Sequence, residues 1–171
     1  MENTDFQSIN ESPKRPNFLM VLAVLSFVSI GFSLLSGVIT LSAGPLSDED
    51  IIQQRVELTE LSEEMRSNDL ESMAVTIEKI QRMLVSLNDH FYANQLLAVL
   101  FLAVGFVGVL FMWRGRRLGF HLYIIYSICA AIQLYFFVSP ADIPSFLIIW
   151  NVLISAVFVL MYARNLHWMK Q

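Results

Sequence analysis

Three arginines, Arg114, Arg116 and Arg117, lie around Gly115 between two long apolar runs. Clustered guanidinium groups bind phosphates and the headgroups of anionic lipids, because each guanidinium presents several donors in one plane. The same cluster also suits a topology anchor, in which arginines hold a tight turn at the headgroups and glycine supplies the permissive backbone. The position of the cluster between two apolar runs favours the anchor.

Uncharged amides form the second group of residues with useful chemistry. Four of them fall near one end of the apolar runs: Asn94, Gln95, Gln133 and Asn151. Gln133 and Asn151 lie at similar depth, about 8 to 9 Å from the same end of their runs, and we expect them to be partners. Amides at that depth either join neighbouring helices or line a polar pocket for an uncharged solute. The four amides are therefore the candidate binding pocket.

Patterns typical of catalysis or cofactor binding do not occur in the sequence. The histidines are scattered, the lone cysteine Cys129 lies inside an apolar run, and no zinc-protease, serine-hydrolase or nucleotide-binding motif is present. Glu57, Glu60 and Glu64 share one helix face and could hold a divalent cation weakly, but a solvated acidic face is the simpler interpretation. We predict a protein that is not an enzyme, with no metal, no cofactor and no nucleic-acid partner.

Long apolar runs must position these residues. Of 171 residues, 56% are hydrophobic and only 15% are charged, which is far from the balance of a soluble domain. Each of four runs is long enough to cross a hydrocarbon core of about 30 Å. Because backbone groups must be paired inside lipid, we predict an all-α integral membrane protein with a bundle of four transmembrane helices. The predicted spans cover residues 17–43, 93–113, 118–138 and 145–163.

Residues 44–92, between the first two spans, contain eleven acidic and four basic residues. Pro45 should end the first helix, and Ser47 followed by acids favours a new helix start. From residue 70 the apolar residues alternate three and four apart, giving a packing seam of Leu70, Met73, Ile77, Ile80, Leu84, Leu87 and Phe91. We predict an external antiparallel helical hairpin. Because the same register persists to Met112, we also expect one continuous helix from Leu70 to Met112.

The basic residues near the spans predict which side of the membrane each segment occupies. They lie in the tail of residues 1–16, predicted to be disordered, in the turn of residues 114–117, and in the tail of residues 164–171. Cytoplasmic loops carry the excess of lysine and arginine, so both termini and the turn should be cytoplasmic. The hairpin and the short turn of residues 139–144 should then be outside. This topology predicts a multi-pass protein of the cell (cytoplasmic) membrane.

Two functions fit these features. The leading hypothesis is a non-enzymatic membrane protein whose external hairpin mediates self-association or docking to another membrane or envelope protein. The alternative is a small channel or carrier for an uncharged solute that uses the polar residues near the outer end of the bundle. In topology alone the chain resembles claudins, but it lacks the cysteine pair of their first external loop. No family is identified from the residues.

Overall fold

The computed structural model describes residues 16–169, and over that range the regular structure is entirely helical. In chain order the helices are α1 (Asn17–Ala43), α2 (Asp48–Ser67), α3 (Glu71–Asp89), α4 (Phe91–Trp113), α5 (Leu118–Ile132) and α6 (Ser145–Ala163). Helices α1, α4 and α6, and α5 together with the 3-10 turn that continues it to Phe136, are long and apolar enough to cross a membrane. By this criterion the chain is a multi-pass membrane protein. Of the predicted tails, residues 1–15 and 170–171 lie outside the described residues.

The connection from α1 to α2 follows the predicted pattern. Gly44 ends α1 with a φ of 85°, in the left-handed region that glycine occupies without strain. Ser47 then begins α2, because its hydroxyl accepts a hydrogen bond from the Asp50 amide at 3.2 Å while the Asp50 carboxylate accepts one from the Ser47 amide at 3.4 Å. This reciprocal cap satisfies amides that would otherwise have no partner at the start of α2.

Helices α2 and α3 lie side by side and run in opposite directions. Gln81 of α3 donates to the Arg55 carbonyl of α2 at 3.1 Å, and Asn88 accepts from the Leu46 amide at 2.8 Å. The buried residues of the two helices are Ser62 and Ala74, both small. Their size allows the two backbones to approach closely near the tip of the hairpin, where α2 ends and α3 begins.

The expectation of one continuous helix from Leu70 to Met112 is wrong. The chain breaks at His90, which has φ −110° and ψ 25°, between α3 and α4. The Ser86 carbonyl is shared between the His90 amide at 3.3 Å and the His90 ring Nδ1 at 3.0 Å. A side chain that competes for a ladder carbonyl is a known cause of helix kinks. The three-four alternation survives because a break of one residue changes the apolar register little.

Proline substitution should locate this break. Tyr92 and Leu96 are similarly exposed, at 58% and 56%, but Tyr92 lies in the first turn of α4 and Leu96 lies in its interior. We expect Leu96→Pro to lower the free energy of unfolding by about 3 kcal/mol, since it removes a ladder hydrogen bond. Tyr92→Pro should cost much less, because first-turn amides have no partner within their own helix. Thermal unfolding in detergent compares the two, and equal losses would indicate an unbroken helix.

The four long helices pack as neighbours in the order α1, α4, α5 and α6. Helix α4 contacts both α1 and α5, whereas α6 contacts α5 and α1 more sparsely. The predicted span 118–138 is α-helical only to Ile132 and continues as a 3-10 helix, Gln133–Phe136. The buried core lies near the turn of residues 114–117, and we call this end of the bundle the arginine end. The opposite end, where α2 follows α1 and α3 precedes α4, is the hairpin end.

Candidate functional site

The predicted amide pocket is divided among different contacts. Gln133 donates through Nε2 to the Asn94 side-chain oxygen at 2.9 Å and to the Asn94 carbonyl at 3.0 Å, which joins α5 to α4. Gln95 donates to the Gly37 carbonyl of α1 at 3.0 Å. Asn151 is exposed and lies apart, on the wall of a cleft formed by α1, α5 and α6. The structure therefore brings Asn94 and Gln133 together but does not bring Asn151 to them.

The expected partnership of Gln133 with Asn151 is replaced by the Gln133–Asn94 pair because depth does not fix rotation about a helix axis. Gln133 is the first residue of the 3-10 helix that follows α5. A 3-10 helix has about 3.0 residues per turn instead of 3.6, so side chains beyond Ile132 point in directions that α-helical spacing does not give. Three of the four amides thus form hydrogen bonds that join α4 to α1 and to the end of α5.

A double-mutant cycle should detect the Gln133–Asn94 side-chain contact. Gln133→Leu and Asn94→Leu should couple by about 0.6 to 1.7 kcal/mol, the range measured for hydrogen bonds between transmembrane helices. The Asn94 carbonyl remains as an acceptor in Asn94→Leu, so the coupling reports only the side-chain oxygen. The matched control is Gln133→Leu combined with Asn151→Leu, which should be additive. Coupling in the control pair would instead place Gln133 against Asn151.

The arginine turn is built as a tight connection between α4 and α5. Gly115 has a φ of 77°, and a Cβ atom there would lie 3.0 Å from the Trp168 ring. Arg117 donates through Nε to the Met169 carbonyl at 2.9 Å, which holds the segment after α6 against the turn. Arg116 lies over the Phe111 ring, 5.7 Å from its centroid. Arg114 is exposed. A glycine at the turn and arginines bound to neighbouring groups fit the topology anchor that the sequence favours.

The predicted packing seam of α3 is only partly covered. Leu70 and Met73 are 41% and 54% exposed near the tip of the hairpin, while Leu84 lies beside Ile51 and Leu58 of α2. The other members of the seam are half-buried: Ile77, Ile80, Leu87 and Phe91. Ala74, which is fully buried, was missed because its small side chain contributes little to an apolar pattern.

Helix α2 carries a second apolar row beside its contact with α3, on a part of its surface that α3 leaves exposed. Ile51 and Leu58 lie on the side of α3, whereas Ile52 and Val56 are 61% and 51% exposed. By helical periodicity the exposed row continues through residues 59 and 63. We define the outer face of α2 as Ile52, Val56, Thr59, Glu60 and Glu63. Thr59 forms its edge nearest α3, where its hydroxyl accepts a hydrogen bond from Gln81 at 3.2 Å.

Acidic charge is concentrated on α2. This helix contains seven acidic and two basic residues, against three acidic and two basic residues in α3. One of the two bases of α2, Arg66, is bound at the tip by Glu71 at 3.1 Å and Glu78 at 2.8 Å. The hydrogen bond to Glu71, and to a smaller extent that to Glu78, raises the pKa of Arg66 above its ordinary value. With Arg66 engaged by α3, the acids of α2 keep most of their excess charge.

One ion pair ties the hairpin to the long helices. Arg82 of α3 binds Asp142 at 2.5 Å, in the short 3-10 helix Pro140–Asp142 between α5 and α6. Helix α3 contacts that 3-10 helix directly. The hairpin therefore rests on the 139–144 turn as well as on its covalent connections at Gly44 and His90.

Comparison with known proteins yields no relative. The chain matches no protein-family model, and no similar curated protein or solved structure is found. Within residues 16–169, no three His, Cys, Asp or Glu side chains are placed to share a metal ion. The functional conclusion therefore rests on the geometry of the chain itself.

Proposed function

We propose that the chain is a non-enzymatic multi-pass protein of the cytoplasmic membrane whose hairpin docks onto another membrane or envelope protein. The four apolar helices support placement in the bilayer. The 114–117 turn and Arg164 lie at the arginine end, and α2 and α3 extend from the hairpin end. By the positive-inside rule, the arginine end and both termini are cytoplasmic and the hairpin is outside.

The outer face of α2 is the observation that carries the proposal. Ile52 and Val56 remain mostly exposed although both helices of the hairpin are in place. Apolar residues four apart on one face of a charged helix are typical of a helix that docks into a groove of a partner. Glu60 and Glu63 lie on the same face, so the surface joins a small apolar contact to a negative rim.

The negative charge of the outer face favours a different protein, and not a second copy of the chain, as its binding partner. Two copies in one membrane have the same orientation, so in a symmetric pair α2 would run parallel to its copy with equivalent residues facing one another. That arrangement places Glu60 and Glu63 beside their own equivalents, and like charges in close contact are destabilising. A partner with a basic surface gains attraction from the same residues. The occupant we propose is a protein that presents a basic, partly apolar groove.

The hairpin is held firmly enough to present this surface. Gln81 joins α3 to the Arg55 carbonyl of α2, and Asn88 joins it to Leu46 in the connection before α2. Arg82 fixes α3 to Asp142. A preorganised surface loses less conformational entropy when it binds. The outer face of α2 therefore needs little rearrangement to dock.

Photocrosslinking in native membranes tests the proposal. A photoreactive amino acid at Val56 should give an adduct with a second protein, whereas the same residue at Val75, an exposed position of α3, should not. Glu60→Lys combined with Glu63→Lys should reduce the adduct about tenfold, equivalent to about 1.4 kcal/mol. High salt should reduce it as well, because it screens exposed charges.

The matched control changes the net charge by the same amount as the test variant, at different positions of α2. Glu57→Lys combined with Glu64→Lys makes the same charge change farther around α2 from Val56, on the far side of Glu60, and the adduct should persist. Equal losses in the two double variants would mean that net charge, and not the outer face, governs the contact. An adduct with twice the mass of the chain would show self-association and contradict the basic partner.

A further inference from the structure

A cleft of about 400 Å³ lies between α1, α5 and α6. Helix α1 contributes Ser26, Ser29 and Ile30, and residues along most of α6, from Leu147 to Phe158, form the opposite wall. Helix α5 forms the back of the cleft. The volume falls within the range of about 300 to 1,000 Å³ that is typical of sites for small molecules.

The cleft is closed toward the arginine end. Tyr162 of α6 is fully buried there, and its hydroxyl donates to the Ser26 hydroxyl at 2.9 Å. The Tyr123 ring lies 5.0 Å from the Tyr162 ring, and the buried core continues below them. Toward the hairpin end α1 no longer lines the cleft, although Leu134 and Leu147 still do. The cleft is therefore blind at one end and opens sideways between α1 and α6 at the other.

Polar groups without partners line this space. Within residues 16–169, neither the Asn151 amide nor the hydroxyls of Tyr126 and Ser155 make a hydrogen bond to another described residue, although all three border the cleft. Asn151 is six residues from the start of α6, which is about 9 Å along the helix axis. An amide left unpaired in hydrocarbon is costly, so a partner for it is expected in the membrane.

The lining also selects the charge of an occupant. None of the residues that line the cleft is an aspartate, glutamate, lysine, arginine or histidine. An ion in the cleft would have no counter-charge. The free energy needed to remove it from water would exceed the stabilisation from hydrogen bonds to the hydroxyls and the one amide. Aromatic side chains such as Tyr126 and Phe158 offer an apolar surface beside those polar groups.

We infer that the cleft binds a neutral, lipid-soluble molecule with an apolar body and one hydrogen-bonding group, a hydroxyl or a carbonyl, that pairs with Asn151. The molecule enters sideways from the bilayer, because the open side of the cleft faces the gap between α1 and α6. Since Tyr162 and Ser26 close the other end, the site holds its ligand and does not conduct it across the membrane. This site is independent of the outer face of α2.

Photolabelling of the full chain in phosphatidylcholine vesicles tests this inference. The probe is a long-chain alcohol that carries a diazirine and an alkyne. We expect saturable labelling of α5 and α6, competition by the unlabelled alcohol, and much weaker competition by the ionised carboxylate of equal length. Asn151→Leu should weaken binding about threefold to twentyfold, which is the equivalent of one hydrogen bond between groups in a membrane.

Two variants of neighbouring residues control for occupancy of the space. Ser155→Phe fills the cleft and should reduce labelling about tenfold, whereas Ala156→Phe places the same bulk on the exposed side of α6 and should leave it unchanged. Labelling that does not saturate, or that is unchanged in both Asn151→Leu and Ser155→Phe, would overturn the site. If Asn151→Cys formed a disulfide between copies and the alcohol did not protect against it, the wall would be a self-association surface and the inference would fail.

Discussion

Gly119→Leu is expected to disrupt the packing of α4 against α5. A Cβ atom at Gly119 would lie 2.5 Å from the Met112 amide nitrogen, and one at Gly108 would lie 3.1 Å from the Gly119 carbonyl oxygen. The two backbones are therefore in contact at this crossing, as small residues permit between membrane helices. Because a backbone cannot rotate aside as a side chain can, we expect a loss of about 3 kcal/mol or more in the free energy of unfolding, the upper end of overpacking costs.

Gly31→Leu is the matched control for this substitution. Gly31 also lies within a membrane-spanning helix, but a Cβ atom there has nothing within 4 Å. Leucine forms helix better than glycine by up to about 1 kcal/mol, so this variant should be neutral or slightly more stable. Unfolding of both variants in detergent, followed by the retained helical signal, measures the difference. Similar behaviour of the two variants would contradict the close crossing of α4 and α5.

Tyr162→Ala is expected to detach α6 from the rest of the core. Tyr162 is the only buried residue of α6, and its hydroxyl lies 2.9 Å from the Ser26 hydroxyl and 3.3 Å from the Leu22 carbonyl oxygen. Removal of the ring leaves a cavity beside Tyr123 and breaks the hydrogen bond to α1. The expected loss is about 3 kcal/mol, the lower end of the range for a buried aromatic residue, because lipid replaces water as the solvent.

Two further variants separate packing from hydrogen bonding at this position. Tyr162→Phe keeps the ring and removes the hydroxyl, so it should cost only about 0.6 to 1.7 kcal/mol. Leu160→Ala truncates a residue of α6 that is 66% exposed and should change stability little. The measurement is the midpoint of thermal unfolding in one detergent. A loss in Leu160→Ala as large as that in Tyr162→Ala would mean that α6 has no specific contact at Tyr162.

The long helices could be predicted from sequence because charge and helix breakers mark their ends. The predicted spans 17–43 and 145–163 coincide with α1 and α6, and Ser47 and Asp50 form a cap at the expected start of α2. Runs without charges give span length directly, since the thickness of the bilayer is fixed. Serine before a row of acids is a local signal that needs no knowledge of packing.

The contacts between helices could not be predicted in the same way. At His90 the ring nitrogen shares the Ser86 carbonyl with the backbone amide, and the apolar periodicity on either side gives no sign of the break. Gln133 binds Asn94 because α5 tightens into a 3-10 helix, which rotates its last residues. The cleft depends on the sparse contact of α6 with α1, a property of packing that no stretch of sequence carries.

Cysteine labelling from one side of the membrane tests the proposed placement of the hairpin most directly. With Cys129 replaced by alanine, single cysteines are introduced at Ser72, an exposed residue of α3, and at His167, an exposed residue beyond α6. We expect an impermeant maleimide to label Ser72→Cys in intact cells and to label His167→Cys only after the membrane is opened. Labelling of His167→Cys in intact cells, with Ser72→Cys protected, would place the acidic hairpin in the cytoplasm and contradict the proposal that it docks outside.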